Sequence, residues 1–298
     1  MSQAQLPIDD AASAKTWSLG RVGVISALGI GQIFAWGSSY YLLAVLAKPI
    51  HDDTGWSLSW IVGGLSLGLL IAGLISPYVG RVIDRHGGRF VMSVSAPLLS
   101  AGLATLGLAT DLAVYVAGWV ILGFGMGAGL YDPAFSTLGK LYGRGARSAI
   151  SALTLWGGFA STVCWPLSAY LVATVGWRDA CLAYAALHLL VTLPTYFLAL
   201  PGMKPSVVSS AASGEKEDKL ATDESRVLDN PALVFALVAG TFTLSAALTT
   251  VLSVHLLTIL QARDIALGAA VALGALVGPS QVGARVIEMI FGHRLHPY

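Results

Sequence analysis

Long apolar stretches alternate along this chain with short polar turns. Seven of them, 22–47, 54–80, 90–110, 148–177, 180–203, 230–262 and 265–284, contain no charged residue, and an eighth, 112–139, is interrupted only by Asp132. A helix needs about 20 apolar residues to cross the hydrocarbon of a bilayer, and all eight runs are long enough. A bilayer offers no water to unpaired amides, so such segments must be helical. Transmembrane strands would appear as alternating segments of about ten residues, and these runs are too long and too uniformly apolar. The pattern predicts eight helical spans.

The turns carry a second pattern. Lys15 and Arg21 precede the first run; Arg81, Arg85 and Arg89 follow the second; Lys140, Arg144 and Arg147 follow the fourth. Lys204, Lys216, Lys219 and Arg226 follow the sixth, and Arg285 and Arg294 the eighth, leaving only Lys48, Arg178 and Arg263 for the alternate turns. Positive loops stay in the cytoplasm, so the N-terminus is expected inside. A bias that holds in every loop also supports the count of eight. Residues 1–20 lack the short apolar core and cleavage site of a signal peptide and read as a cytoplasmic tail. The tract 201–231 is too polar to bury enough apolar area and reads as a flexible cytoplasmic linker. It divides a six-span bundle over 21–200 from two further spans over 232–298.

Composition agrees. Charged residues are 11% and hydrophobic ones 55%, with a mean hydropathy of +0.73, against about 25% charged in a soluble domain. The lipid bilayer is the expected solvent, and a net charge of +1 gives no reason to expect nucleic acid. Cys164 and Cys181 lack metal-like spacing and read as buried free thiols. The runs hold scattered histidines and one acidic residue, so no nucleophile, base or metal-ligand set converges. An enzyme is not expected, nor a cofactor or a metal.

One turn is distinctive. Gly80-Arg81-Val82-Ile83-Asp84-Arg85-His86-Gly87-Gly88-Arg89 follows the second run, and a fainter echo, Gly278-Pro279-Ser280-Gln281-Val282-Gly283-Ala284-Arg285, closes the eighth. The motif resembles the loop between the second and third spans of the major facilitator superfamily, and its counterpart after the eighth. The resemblance implies an all-α integral membrane protein whose two six-helix bundles are related by an axis along the membrane normal. The substrate site then lies between them near the midplane, and transport proceeds by alternating access. Here a complete N-terminal bundle is joined to the first two helices of the C-terminal one, and the chain reads as C-terminally truncated. The resemblance also implies gating roles for Gly80, Asp84, Arg85, Gly87 and Arg89, with Arg144, Arg147, Gly278 and Arg285 at the same face. Gly80 would admit a neighbouring helix, Asp84 would accept hydrogen bonds at a helix start, and the arginines would pair with carboxylates. Gly88 stands where the family often has a second basic residue, so the latch is expected to be weaker or differently paired.

A charge at the bilayer centre costs at least about 2.5–3.5 kcal/mol, which makes an intramembrane carboxylate functional by default. Asp132 lies past the middle of its run, on a stripe with Gly125, Gly129 and Ser136, and is expected to face protein. A latch to Arg85 or Arg89 is preferred over a proton-coupling role. Gln32, Trp36, Ser39 and Tyr40 form one face of the first run, and Thr154, Gly158, Ser161 and Trp165 one face of the fifth. With Tyr131, and with Ser245 and His255 of the seventh, these are the candidate substrate wall. The glycines at 123, 125, 127 and 129 are packing positions, and His188 is expected to pack against a neighbour.

The stretch from Tyr131 to Arg178 resembles monocarboxylate porters and oxalate/formate exchangers. Asp132-Pro133, the basic tyrosine-rich loop through Arg147, and Gly176-Trp177-Arg178 carry that likeness. It implies a small organic anion as substrate, with a coupling proton or counter-anion, in a cell membrane. The eighth run, taken as 265–284, lacks the Asp and Arg that several of those porters use. The alternatives are a drug or metabolite–proton efflux transporter and an inactive fragment. Against efflux, Trp119 stands in place of an intramembrane arginine and Trp165-Pro166 in place of a Gly-Pro pair.

Overall fold

The computed structural model of the chain describes residues 20–202 and 231–291. The tail and the linker expected from the sequence therefore lie almost wholly outside the described residues. Six continuous helical stretches are long and apolar enough to cross a membrane, and one of them, Leu112–Ala199, has 88 residues. At 1.5 Å per residue that stretch would extend roughly 130 Å, several times a bilayer core of about 30 Å, so it must cross more than once. It turns at Gly143–Gly145, where Gly143 has φ 49°, and at Gly176, with φ 83° and ψ 170°.

Divided there, the described residues make eight crossings. Span 1 is Arg21–Ser38 and Leu42–Thr54, span 2 Leu58–His86 and span 3 Gly88–Gly107. Span 4 is Leu112–Gly129 and Tyr131–Tyr142; span 5 is Ala146–Gly158 and 160–175; span 6 runs from 177 to Ala199 through a π-helical turn, His188–Thr192. Span 7 is Pro231–Gln261, and span 8 is Leu267–Ala275 and Val277–Phe291. Several helices run beyond the charge-free stretches. Span 2 continues to His86, so the chain turns only at Gly87, where φ is 83°. Span 8 continues past Arg285.

Span 4 shows how sequence sets the packing. Two residues advance an α-helix by about 200°, so alternate glycines face opposite sides. A β-carbon at Gly123 would stand 2.8 Å from the Gly68 carbonyl of span 2, while one at Gly125 would stand 2.8 Å from the Leu99 amide of span 3. The absent side chains let span 4 lie tightly between two neighbours at once, as small residues do inside membranes. Span 6 closes on span 1, where buried His188 shares a 2.7 Å hydrogen bond between its Nε2 and Ser38 Oγ. Cys164 and Cys181 are buried and unbonded to each other.

Candidate functional site

Three helix breaks converge on one cavity. Span 4 breaks at Leu130 (φ −82°, ψ −157°) immediately before Tyr131, span 5 at Phe159 just after Gly158, and span 8 at Leu276. The cavity has a volume of about 490 Å³ and is lined by Tyr131, Thr154, Gly158, Gln281, Ala284 and Arg285. Gly158 and Gly278 let spans 5 and 8 approach: a β-carbon at Gly158 would stand 2.9 Å from Val282, and one at Gly278 would meet Thr162. Thr162 Oγ1 donates to the Ala275 carbonyl at 2.8 Å, satisfying an acceptor that the break in span 8 leaves free. Arg285 lies within electrostatic reach of Tyr131, and the Tyr41 hydroxyl meets the Gln281 side chain.

Aromatic rings continue from this cavity toward the break in span 1. Trp36 stands 4.9 Å from Tyr131 and 5.2 Å from Tyr40 between ring centroids. Tyr41 stands 5.1 Å from Tyr40 and 5.7 Å from Trp165, and Phe135 stacks on Tyr131 at 4.9 Å. Gln32 is fully buried beneath them. Its amide donates to the Gly129 carbonyl at 2.7 Å and accepts from Trp36 Nε1 at 3.1 Å. Gln32 thus satisfies the backbone at the break in span 4 and orients Trp36, and is not itself among the lining residues. Ser161 Oγ and Trp165 Nε1 are buried donors without a partner among the described residues.

Several expected placements change. Gly278 and Arg285 sit within the helix Val277–Phe291, inside span 8, and not in a loop. A helix does not stop at its first charge when the side chain can turn into a cavity, and Arg285 does so. Ser245 is exposed on span 7 and His255 only partly covered; that helix buries Val254 and Leu257 instead and brings Thr250 to Tyr40, whose hydroxyl donates to it at 2.9 Å. Asp132 is exposed and makes no ion pair among the described residues. The break at Leu130 resets the helical phase, so the stripe through Gly125 and Gly129 does not carry on to Asp132.

At the face holding the glycine-basic turn, the carboxylate partner also differs from expectation. Asp84 pairs with Lys140 Nζ at 2.7 Å, in the last turn of span 4, and Lys140 also donates to the Ile83 carbonyl at 3.2 Å. The contact is thus at a helix C-terminus, where a lysine suits the dipole. Arg89 lies over the Phe197 ring at 4.3 Å, while Arg85, Arg144 and Arg147 are exposed and form no ion pair among the described residues. Gly80 does not admit a neighbour, since a β-carbon there would meet nothing within 4 Å; the close approach is at Gly88, which sits against Thr137. A basic side chain at 88 would collide with span 4, which explains the missing residue. Arg21 closes the same face by donating to the Gly145 carbonyl at 2.8 Å.

The opposite face carries a clasp that composition did not reveal. Asp53 accepts from Trp177 Nε1 at 3.0 Å and pairs with Arg178, which stacks over the Trp177 ring and donates to the Ala109 carbonyl. These hydrogen bonds, from Trp177 first and then Arg178, hold the Asp53 carboxyl below the usual carboxylate range. Lys140, Gln281, Tyr41 and this clasp were not singled out from sequence. Only the Gly176-Trp177-Arg178 turn gave any signal of the last.

The profile of the Major Facilitator Superfamily matches residues 28–295. "Monocarboxylate transporter 11" of Homo sapiens is 29% identical over 182 residues, covering 61% of this chain and 37% of that protein. "Membrane protein MosC" of Rhizobium meliloti is 28% identical over 193 residues, covering 65% of this chain and 45% of that one. The chain thus spans less than half the length of these two relatives. The crystal structure of a D-xylose-proton symporter superposes with a TM-score of 0.62 over 92% of this chain and 69% of that one, at 14% identity, a likeness of fold alone. With helical crossings in that fold and a profile match over nearly all its length, the chain belongs to the Major Facilitator Superfamily.

Proposed function

We propose that the chain carries a small organic anion, a monocarboxylate in class, across the cell membrane by alternating access. The observation that carries this reading is Arg285, the one charged residue among the described residues lining the cavity. A guanidinium matches a carboxylate bidentately and keeps its charge at all working pH values. Gln281, Thr154 and the Tyr131 hydroxyl stand beside it to complete the carboxylate's hydrogen bonds. A relative named as a monocarboxylate transporter supports the same class.

In this reading the bundles over 21–200 and 232–298, joined by the linker 201–231, move against one another. Asp84 and Lys140 latch the face that the basic turns place in the cytoplasm, along with the N-terminus. The chain is not read as an enzyme, and the binding partners are the solute and the bilayer.

The test is uptake of labelled carboxylates into vesicles containing the full chain, with and without an inward pH gradient. Arg285→Gln is expected to reduce uptake about tenfold or more, the loss of a charge-assisted hydrogen bond. Absence of carboxylate uptake together with export of a cationic dye overturns the reading in favour of efflux.

A further inference from the structure

We infer that the anion taken by this cavity is an aryl carboxylate, with its carboxyl group at Arg285 and its ring against Trp36, Tyr41 and Tyr131. The inference rests on the anion site proposed above and adds the body of the substrate. Its first support is the incomplete burial of these rings. Elsewhere in the bundle Tyr115, Trp119 and Tyr184 are almost fully buried. Trp36, Tyr41 and Tyr131 are only partly covered; Tyr41 meets Gln281, Tyr131 lies near Arg285, and Trp36 packs on Tyr131. Part of each ring is therefore unpartnered next to the cation.

The second support is size. A cavity of about 490 Å³ falls within the range of roughly 300–1,000 Å³ that holds drug-sized ligands, and a three-carbon acid at Arg285 would leave the rings uncovered. An alkyl chain would cover them, but ring against ring gains about 0.5–1.5 kcal/mol beyond the area buried. Aryl is favoured over alkyl on that ground.

Calorimetric titration of the purified full chain in nanodiscs separates the possibilities, with phenylpyruvate, hexanoate, lactate and phenethylamine as probes. Phenylpyruvate is expected to bind about two- to tenfold tighter than hexanoate, more tightly still than lactate, and phenethylamine not at all. Trp36→Leu should remove the preference for phenylpyruvate over hexanoate, and Trp36→Phe should keep it. Equal binding of phenylpyruvate and hexanoate overturns the aryl inference and leaves the anion site standing. Persistence of the preference in Trp36→Leu, or failure of Trp36→Phe to retain it, also overturns it. If no carboxylate binds, or the amine binds in their place, the anion site falls with it.

Discussion

The Asp84–Lys140 pair is the contact whose setting decides its use. The two side chains are 64% and 25% exposed, and ion pairs in such positions are worth about 0–1 kcal/mol because water and salt screen them. The pair is thus weak enough to open, as the proposed latch requires. Asp84→Asn is therefore expected to change the melting temperature little and substrate affinity not at all, while altering the rate of transport. A lowered affinity at an unchanged rate, from parallel binding and uptake measurements, would show that the pair serves the site and not the gate. Asp53 is a different case. Its carboxyl is held down by Trp177 and Arg178, so its folded pKa lies below the unfolded value of about 3.9. Stability from such a group is present above the unfolded pKa and is lost as pH falls through the folded one. Asp53→Asn should be less stable than the parent at pH 7, and the difference should shrink as pH falls through the folded pKa of Asp53. An undiminished difference there, in thermal unfolding followed across pH, would assign the loss to packing.

Among the elements, span 4 depends on glycine more than any other. Gly125→Leu would drive a side chain into Leu99 of span 3, and overpacking of a tight contact costs about 1–3 kcal/mol or more. Gly80 provides the control, because a β-carbon there meets nothing within 4 Å. Gly80→Ala should be neutral or stabilising by up to about 1 kcal/mol, the helix preference of alanine over glycine. Thermal unfolding of both in detergent checks the pair; equal losses would mean that close approach does not govern span 4. The helix breaks are the other element-scale feature. Those in spans 4, 5 and 8 interrupt apolar runs, and Gln32 and Thr162 take up two of the carbonyls. Irregular backbone at membrane depth is tolerated only in protein or beside a cavity, and here it marks the cavity.

For the whole molecule, eight crossings set faces that can be probed. Arg21, Asp84, Lys140 and Gly145 meet at one face, and Asp53, Ala109 and Arg178 at the other. This matches the alternation of the basic residues. Both native cysteines are buried, so an introduced thiol reports its own position. Lys48→Cys should react with an impermeant maleimide on intact cells, and Arg144→Cys only after permeabilisation. Reaction of Arg144→Cys from outside would invert the proposed orientation and remove Asp84–Lys140 from the cytoplasmic face.

The linear chain by itself determined that the protein is helical, that it crosses a bilayer eight times and that its basic turns share a face. Those properties are sums over long segments: twenty uncharged residues have one low-energy arrangement in lipid, and single substitutions leave the sum unchanged. It also carried the family, through the Gly80–Arg89 turn. Tertiary structure alone decided which residues meet. An apolar run that ends at 284 places Arg285 in a loop, and a helix continuous through Leu130 would make Asp132 a partner of Arg85. A helix's end depends on what its last side chains can face, and one break rotates every later residue away from its expected neighbour. Those quantities belong to packing, and only the folded bundle fixes them.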